Sequence, residues 1–215
     1  VPVVGQSLTY TFSVTGDRAG MIRQGVDYLA RHGCRRLALM GHHAGHAVSS
    51  RIVAADRQAF ELSLASRGLE FRAAWCRQDL HGADRGAGWE EFREIWSGGE
   101  RPDGLLVTDD TLFRDLRSAI LELGIRVPEQ LAVVTHFNKG SDMLLPFPVA
   151  RLECDPAAYA AEMGRGLLDL MAGRIPPERQ IRMPFKLFAA EDRALDVINA
   201  TTAEEPEDRQ RSGRA

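Results

Sequence analysis

Three groupings of side chains in the sequence have types and spacings that could do chemistry. Asp109 and Asp110 stand side by side after the apolar run Leu105, Leu106, Val107. Paired carboxylates at such a place suit general acid–base work or ligand contact. His42, His43 and His46, in GHHAGHAVSS, could offer imidazoles to zinc, copper or nickel. Trp89, Phe92 and Trp96 could in principle stack on nucleic-acid bases. Each grouping also has a plainer reading. No nucleophile, glycine-rich phosphate loop or partner base accompanies the carboxylates, so an enzyme is not expected. Gly41 and Gly45 make the histidine stretch a loop, with no Cys or carboxylate close by in sequence, so neither a metal nor any other cofactor is expected. The three aromatics recur at helical spacing, as core residues do. Cys34, Cys76 and Cys154 are odd in number and far apart, which argues against a disulfide framework and fits a reducing cytoplasm.

The carboxylates belong to the most informative stretch, RPDGLLVTDDTLFRDLRSAILELGIRVPEQLAVVTHFN, residues 101–138. Leu105 to Val107 suits a strand buried on both faces. Phe113, Leu116, Ile120 and Leu123 predict a helix, with Thr111 placed to cap its start and Gly124 to close it. Pro128 stops any continuation, and Leu131 to Val134 begin the next strand. This is a complete βαβ unit, so a parallel sheet with a right-handed crossover is expected, with the carboxylates at the edge where open α/β sheets bind ligands.

The rest of the chain alternates in the same way. Strands are expected at 1–4, 9–15, 37–40, 71–76, 149–152 and 181–188, and helices at 18–32, 52–67 and from 155 to near 173. Met163, Leu167 and Leu170 are expected to face inward on the last helix. The fold class is therefore α/β, doubly wound. At 44% apolar and 27% charged the composition is ordinary, and a net charge of −3 gives no electrostatic reason to bind nucleic acid or membrane. No apolar run approaches the roughly 20 residues that span a bilayer. The opening VPVVGQ has no signal-peptide character and reads as the middle of a longer protein, while 200–215 is expected to be a disordered tail.

At ELGIRVPEQLAVV the chain resembles the effector-binding region of the lactose-repressor (LacI/GalR) family of bacterial transcription regulators. VPVVGQ is similar to that family's strand before the first crossover, GVDYLARHGCRRLALMG to its helix–strand with Cys34 for the usual His, and FELSLASRGL to its following helix. RPDGLLVTDD is similar to its P-D-A strand end. The resemblance covers roughly 1–188. It implies a periplasmic-binding-protein-like type I fold: two doubly wound parallel-sheet subdomains joined by three crossovers, with the N-terminal one incomplete here. The implied division is 1–33 with 153–181 for the partial N-terminal subdomain, and 34–152 with 182–199 for the C-terminal one. The implied function is small-molecule effector binding and homodimerisation in a cytoplasmic regulator. DNA would be reached only through an N-terminal helix-turn-helix that this chain lacks. A solute-binding protein feeding a transporter is the alternative that shares the fold.

The resemblance also implies site residues, and several depart from the family pattern. Asp109 stands where the family usually has Asn, and Asp110 keeps the following Asp, with helix capping as its plainer use. Asp56 stands in place of a family Arg, with Arg57 one place later. Phe137 replaces the family's strand-end Asp, flanked by His136 and Asn138. Asp17 falls near an Asp–Asn pair after the first strand, where it could equally start a helix. The effector is therefore expected to be carbohydrate-like but not an ordinary hexose held in the usual way.

Overall fold

The computed structural model describes residues 2–6, 10–42, 47–80 and 86–190. The elements, in order, are β1 (Val4–Gly5), β2 (Phe12–Gly16), α1 (Arg18–Arg31), β3 (Leu37–His42) and α2 (Ala47–Ser66). A 3-10 turn at Ala73–Trp75 leads into β4 (Cys76–Leu80), then α3 (Ala87–Ser97), β5 (Gly104–Val107), α4 (Asp110–Glu122), β6 (Ala132–Asn138) and β7 (Ala150–Cys154). α5 (Pro156–Met171), β8 (Gln180–Met183) and β9 (Lys186–Phe188) complete the described chain. The large sheet runs β4-β3-β5-β6-β7-β9, parallel except for β9, and the small sheet runs β1-β2-β8, all parallel. This is the α/β doubly wound architecture expected.

The βαβ unit at 101–138 forms as read. Leu105 and Val107 face one core with α3 and α4, Leu106 faces the other with α1 and α2, and all three are fully buried. Phe92 and Trp96 stack in the first of these cores, with Trp89 packed at its edge, so the aromatic triad is core. The strand expected at 71–76 lies later, at β4, because the 3-10 turn takes up Ala73–Trp75.

Among the described residues the chain passes between the sheets three times: after β2, after β7, and between β8 and β9. The expected single strand 181–188 is two strands in two sheets, broken at Pro184, which has no N–H to give a ladder. Arg182 and Met183 consequently pair with the small sheet, on Thr15 and Gly16. The division that the resemblance implies places helix α1 in the smaller part, but its Met21, Ile22, Val26 and Leu29 pack on Leu106, Val134 and Leu152 of the large sheet. An amphipathic helix docks where its apolar stripe finds a surface, and the six-stranded sheet offers the wider one.

The last helix departs most from expectation. On α5 only Gly166 is buried, over Phe12, while Leu167, Leu168 and Met171 are 38%, 66% and 70% exposed. Three described strands give it too little apolar area to cover. The 191–215 stretch, with the expected tail, and residues 43–46 of the histidine loop lie outside the described residues. Amide exchange should follow this asymmetry, with β1, β2, β8 and α5 exchanging at least tenfold faster than β3, β5 and β6. Uniform protection across both sheets would show that the small sheet is as well supported as the large one.

Candidate effector site

The C-terminal ends of β2, β6 and β7, with the start of α4, meet where the chain changes sheets. Each functional side chain there is placed by local rules. Asp109 has extended backbone and its carboxylate accepts from Leu112 N at 2.9 Å, so Asp109, rather than Thr111 or Asp110, caps α4. That leaves Asp110 free in the first turn, where a negative charge also suits the helix N-terminus. Side chains two apart on a strand share a face, so His136 and Asn138 point the same way from β6. The parallel register pairs Asn138 with Cys154 of β7.

These four side chains close a ring. Asn138 Nδ2 donates to Asp110 Oδ2 at 2.7 Å, and Cys154 Sγ donates to Asn138 Oδ1 at 3.0 Å. His136 Nε2 stands 3.5 Å from Cys154 Sγ, and its Nδ1 stands 3.8 Å from Asp110 Oδ1. That last distance is too long for a hydrogen bond, and Nδ1 is buried with no closer partner among the described residues, so the attraction to Asp110 is between charges. Burial disfavours the imidazolium, but Asp110 and the Cys154 sulfur outweigh it and raise His136 from 6.5 to about 9. The neighbouring His136 in turn holds the Asp110 carboxyl below its ordinary 3.8, against burial and with help from the Asn138 amide.

Around the ring the walls are aromatic. Phe185, in the last crossover, meets the His136 ring edge-on at 5.7 Å. Gly16, the last residue of β2, lets Phe185 and Tyr159 close in: a Cβ there would stand 2.9 Å from the Phe185 ring and the Tyr159 hydroxyl. Burial, and secondarily the neighbouring Cys154, push that hydroxyl up to about 12. Asp17 caps α1 by accepting from Gly20 N at 3.0 Å. Arg18, one residue on, grips Asp56 of α2 from Nε at 3.1 and 3.0 Å and from Nη2 at 2.5 Å.

The expected site residues thus divide. Asp110, His136 and Asn138 come together directly. Asp17 and Asp109 are at the same edge as helix caps. Asp56 is 2% exposed and committed to Arg18. Phe137 points to the opposite face of β6, where Arg151 lies 5.6 Å over its ring. Arg57 is remote from the ring, paired with Glu61 and stacked 4.9 Å over Phe71. The sequence reading missed Arg18, Cys154, Tyr159 and Phe185. Cys154 was discoverable, since the Asp155–Pro156 helix start marks the strand end it occupies.

A cavity of about 630 Å³ opens at the opposite edge of the large sheet, lined by His32, Cys34, Asp103, Gln130 and Pro148 among others. It lies at the strands' N-terminal ends, whereas ligands of open α/β sheets bind at the carboxyl ends. Its Cys34 thiol is pushed up to about 11 by burial and by Asp103, which makes it unreactive. No group of three or more His, Cys, Asp or Glu among the described residues is arranged to hold a metal. No described helix is long and apolar enough to cross a membrane.

Residues 26–189 match the periplasmic binding protein-like domain family. The chain belongs to that family. Solved structures agree on the fold. The regulator CcpA of Lactococcus lactis superposes with a TM-score of 0.72 at 18% identity, covering 88% of this chain and 68% of that one. A LacI family transcriptional regulator from Mycobacterium smegmatis gives 0.67 at 22%, covering 82% and 64%. The regulator CelR, solved as a cellobiose complex, gives 0.70 at 21%, covering 86% and 56%. The chain therefore spans about two thirds or less of these proteins' lengths. Comparison with curated proteins returns no match.

Two outcomes test this geometry. A His136 raised in the fold contributes stability that is fully present below 6.5 and is lost as pH rises through about 9. Asp110, lowered in the fold, contributes above 3.8 and is lost as pH falls through its folded value. Urea unfolding should therefore show a plateau from about pH 4 to 6.5, then a decline of about 3 kcal/mol by pH 10. The decline should shrink in Asp110→Asn, which removes one of the two groups that raise His136. Separately, Arg18→Met should cost about 3–5 kcal/mol, because it leaves the Asp56 carboxylate buried without its guanidinium. A cost below 1 kcal/mol would mean that Asp56 is satisfied without Arg18.

Proposed function

We propose that the chain is the effector-binding and dimerisation region of a LacI/GalR-like transcription regulator, with the effector bound at the strand ends where the sheets meet. One observation supports this above the rest. The polar ring Asp110–Asn138–Cys154–His136 and the half-exposed Arg18 lie at the carboxyl edges of parallel strands, beside three sheet-to-sheet connections. A small molecule contacting both sheets there would favour one of their relative arrangements, by as much as its affinity for the two differs. In the whole protein that shift would reposition paired DNA-binding heads. The exposed apolar stripe Leu167, Leu168, Met171 on α5 is the kind of surface a second subunit covers.

The site also bears on what the effector is. The CelR structure shows one protein of this fold with a disaccharide. In this chain, however, the position resembling the family's Arg carries Asp56, already engaged by Arg18, and the strand-end position carries Phe137, facing away. Two charge-assisted hydrogen bonds to hydroxyls, at roughly 1.5–3 kcal/mol each, are therefore replaced. Their loss amounts to about 3–6 kcal/mol, or roughly a hundred- to ten-thousandfold in affinity. Calorimetry against simple hexoses should show dissociation constants weaker than millimolar. Micromolar binding of any of them would overturn the claim that the effector is unlike a standard hexose.

A further inference from the structure

The ring contains a pairing that hydrogen-bonding to a sugar-like ligand does not need. Cys154 Sγ lies 3.5 Å from His136 Nε2, and the other ring nitrogen faces Asp110 at 3.8 Å. This is the order nucleophile, imidazole, carboxylate, arranged with the imidazole between the other two. Cys154 is partly exposed, unlike buried Cys34, and it closes β7 at a connection between the sheets. We infer that Cys154 is a nucleophilic thiol of the effector site, partnered by His136, and that it reversibly captures a small uncharged aldehyde as a thiohemiacetal. The inference rests on the strand-end region being the effector site and adds the chemistry by which that site takes its ligand.

The step balances without any co-reactant. The thiol gives its proton to water, leaving the sulfur with an electron pair beside His136 Nε2, 3.5 Å away. The thiolate forms a C–S bond to the aldehyde carbon as the C=O π pair moves to oxygen. Nε2–H gives its proton to that oxygen, and water returns to the imidazole the proton it took from the thiol. Nothing is oxidised and nothing leaves, so the adduct is the sum of thiol and aldehyde and reverts when the aldehyde is removed. Asp110, 3.8 Å from Nδ1, favours the charged imidazole by attraction between charges. The remaining groups that bear on the sulfur are Asn138 Oδ1, which accepts a hydrogen bond from the resting thiol, and the Tyr159 hydroxyl from α5. Asp110 disfavours an anionic electrophile, and the aromatic walls Phe185 and Tyr159 suit a small neutral one.

Two measurements on the whole chain decide the matter. With acetaldehyde carrying carbon-13 at its carbonyl, NMR should show a protein-bound thiohemiacetal carbon that disappears on dialysis and is absent in Cys154→Ser. Iodoacetamide at pH 7, read by peptide mass spectrometry, should alkylate Cys154 at least tenfold faster than Cys76. Saturating acetaldehyde should slow the Cys154 reaction, and His136→Gln should bring it to the Cys76 rate. The Cys154-to-Cys76 comparison needs no variant, so a poorly folded His136→Gln protein does not remove the test. An adduct that persists in Cys154→Ser, or equal alkylation of Cys154 and Cys76, overturns the inference. If it fails while some effector still binds without a covalent bond, the thiol chemistry falls and the effector-site reading stands.

Discussion

The parallel pairing of β6 with β7, from Val134 on Ala150 to Asn138 on Cys154, is the constraint on which the rest of the site depends. It fixes which side chains can meet. A shift of one residue would turn His136 and Asn138 to the face that Phe137 and Arg151 now occupy, and would separate the imidazole from the thiol. The register is held by the apolar residues below the polar ones. Val134, Ala150 and Leu152 are fully buried under α1 on the face that carries His136 and Asn138. The site is thus a by-product of core packing: burying the lower half of each strand positions the upper half.

That pairing also explains why the ring is electrostatically self-consistent. Every hydrogen bond in it works with a protonated His136: Nε2–H toward sulfur, thiol toward the Asn138 oxygen, Asn138 amide toward Asp110. A neutral His136 would leave the Asp110 carboxylate, half-buried, facing an imidazole with no charge to offer. Pairing with opposite charge and satisfying the remaining donors is what lets such groups sit in a protein interior. The cost is that the region is stable only while both partners keep their charges.

Much of the frame was legible in the sequence because its signals are local. The run Leu105–Val107, the helical stripe after it and the Gly124 stop are read from neighbours within a few residues, and they fold as read. The helix cap was misplaced by two residues, since Asp109, Asp110 and Thr111 are all competent caps and only the backbone turn selects one. The attachment of α1 to the large sheet, and the split of 181–188 between sheets, depend on which surfaces are wide enough to receive an apolar stripe, and no local pattern encodes that. The same holds for the ion pair between Arg18 and Asp56. The departure at Asp56 was visible as an acid where the resemblance led one to expect a base. The base itself comes from 38 residues earlier, so pairing had to be seen in space.

The connections between the sheets tie the ring to both of them. Asp17 N donates to Met183 O in the small sheet, while its side chain caps α1, which lies on the large one. Phe185 touches both parts as well, packing on Gly16 from one side and on His136 from the other. A rotation of one sheet against the other must therefore repack Phe185 between Gly16 and the imidazole. Close-packed contacts of this kind tolerate discrete rearrangements better than gradual ones. Anything that alters the contacts of His136 or Cys154 acts on the residue through which the two sheets lean on each other. A ligand held at the ring would therefore act on the same packing that sets the relative position of the sheets, and each would bias the other by the same free energy.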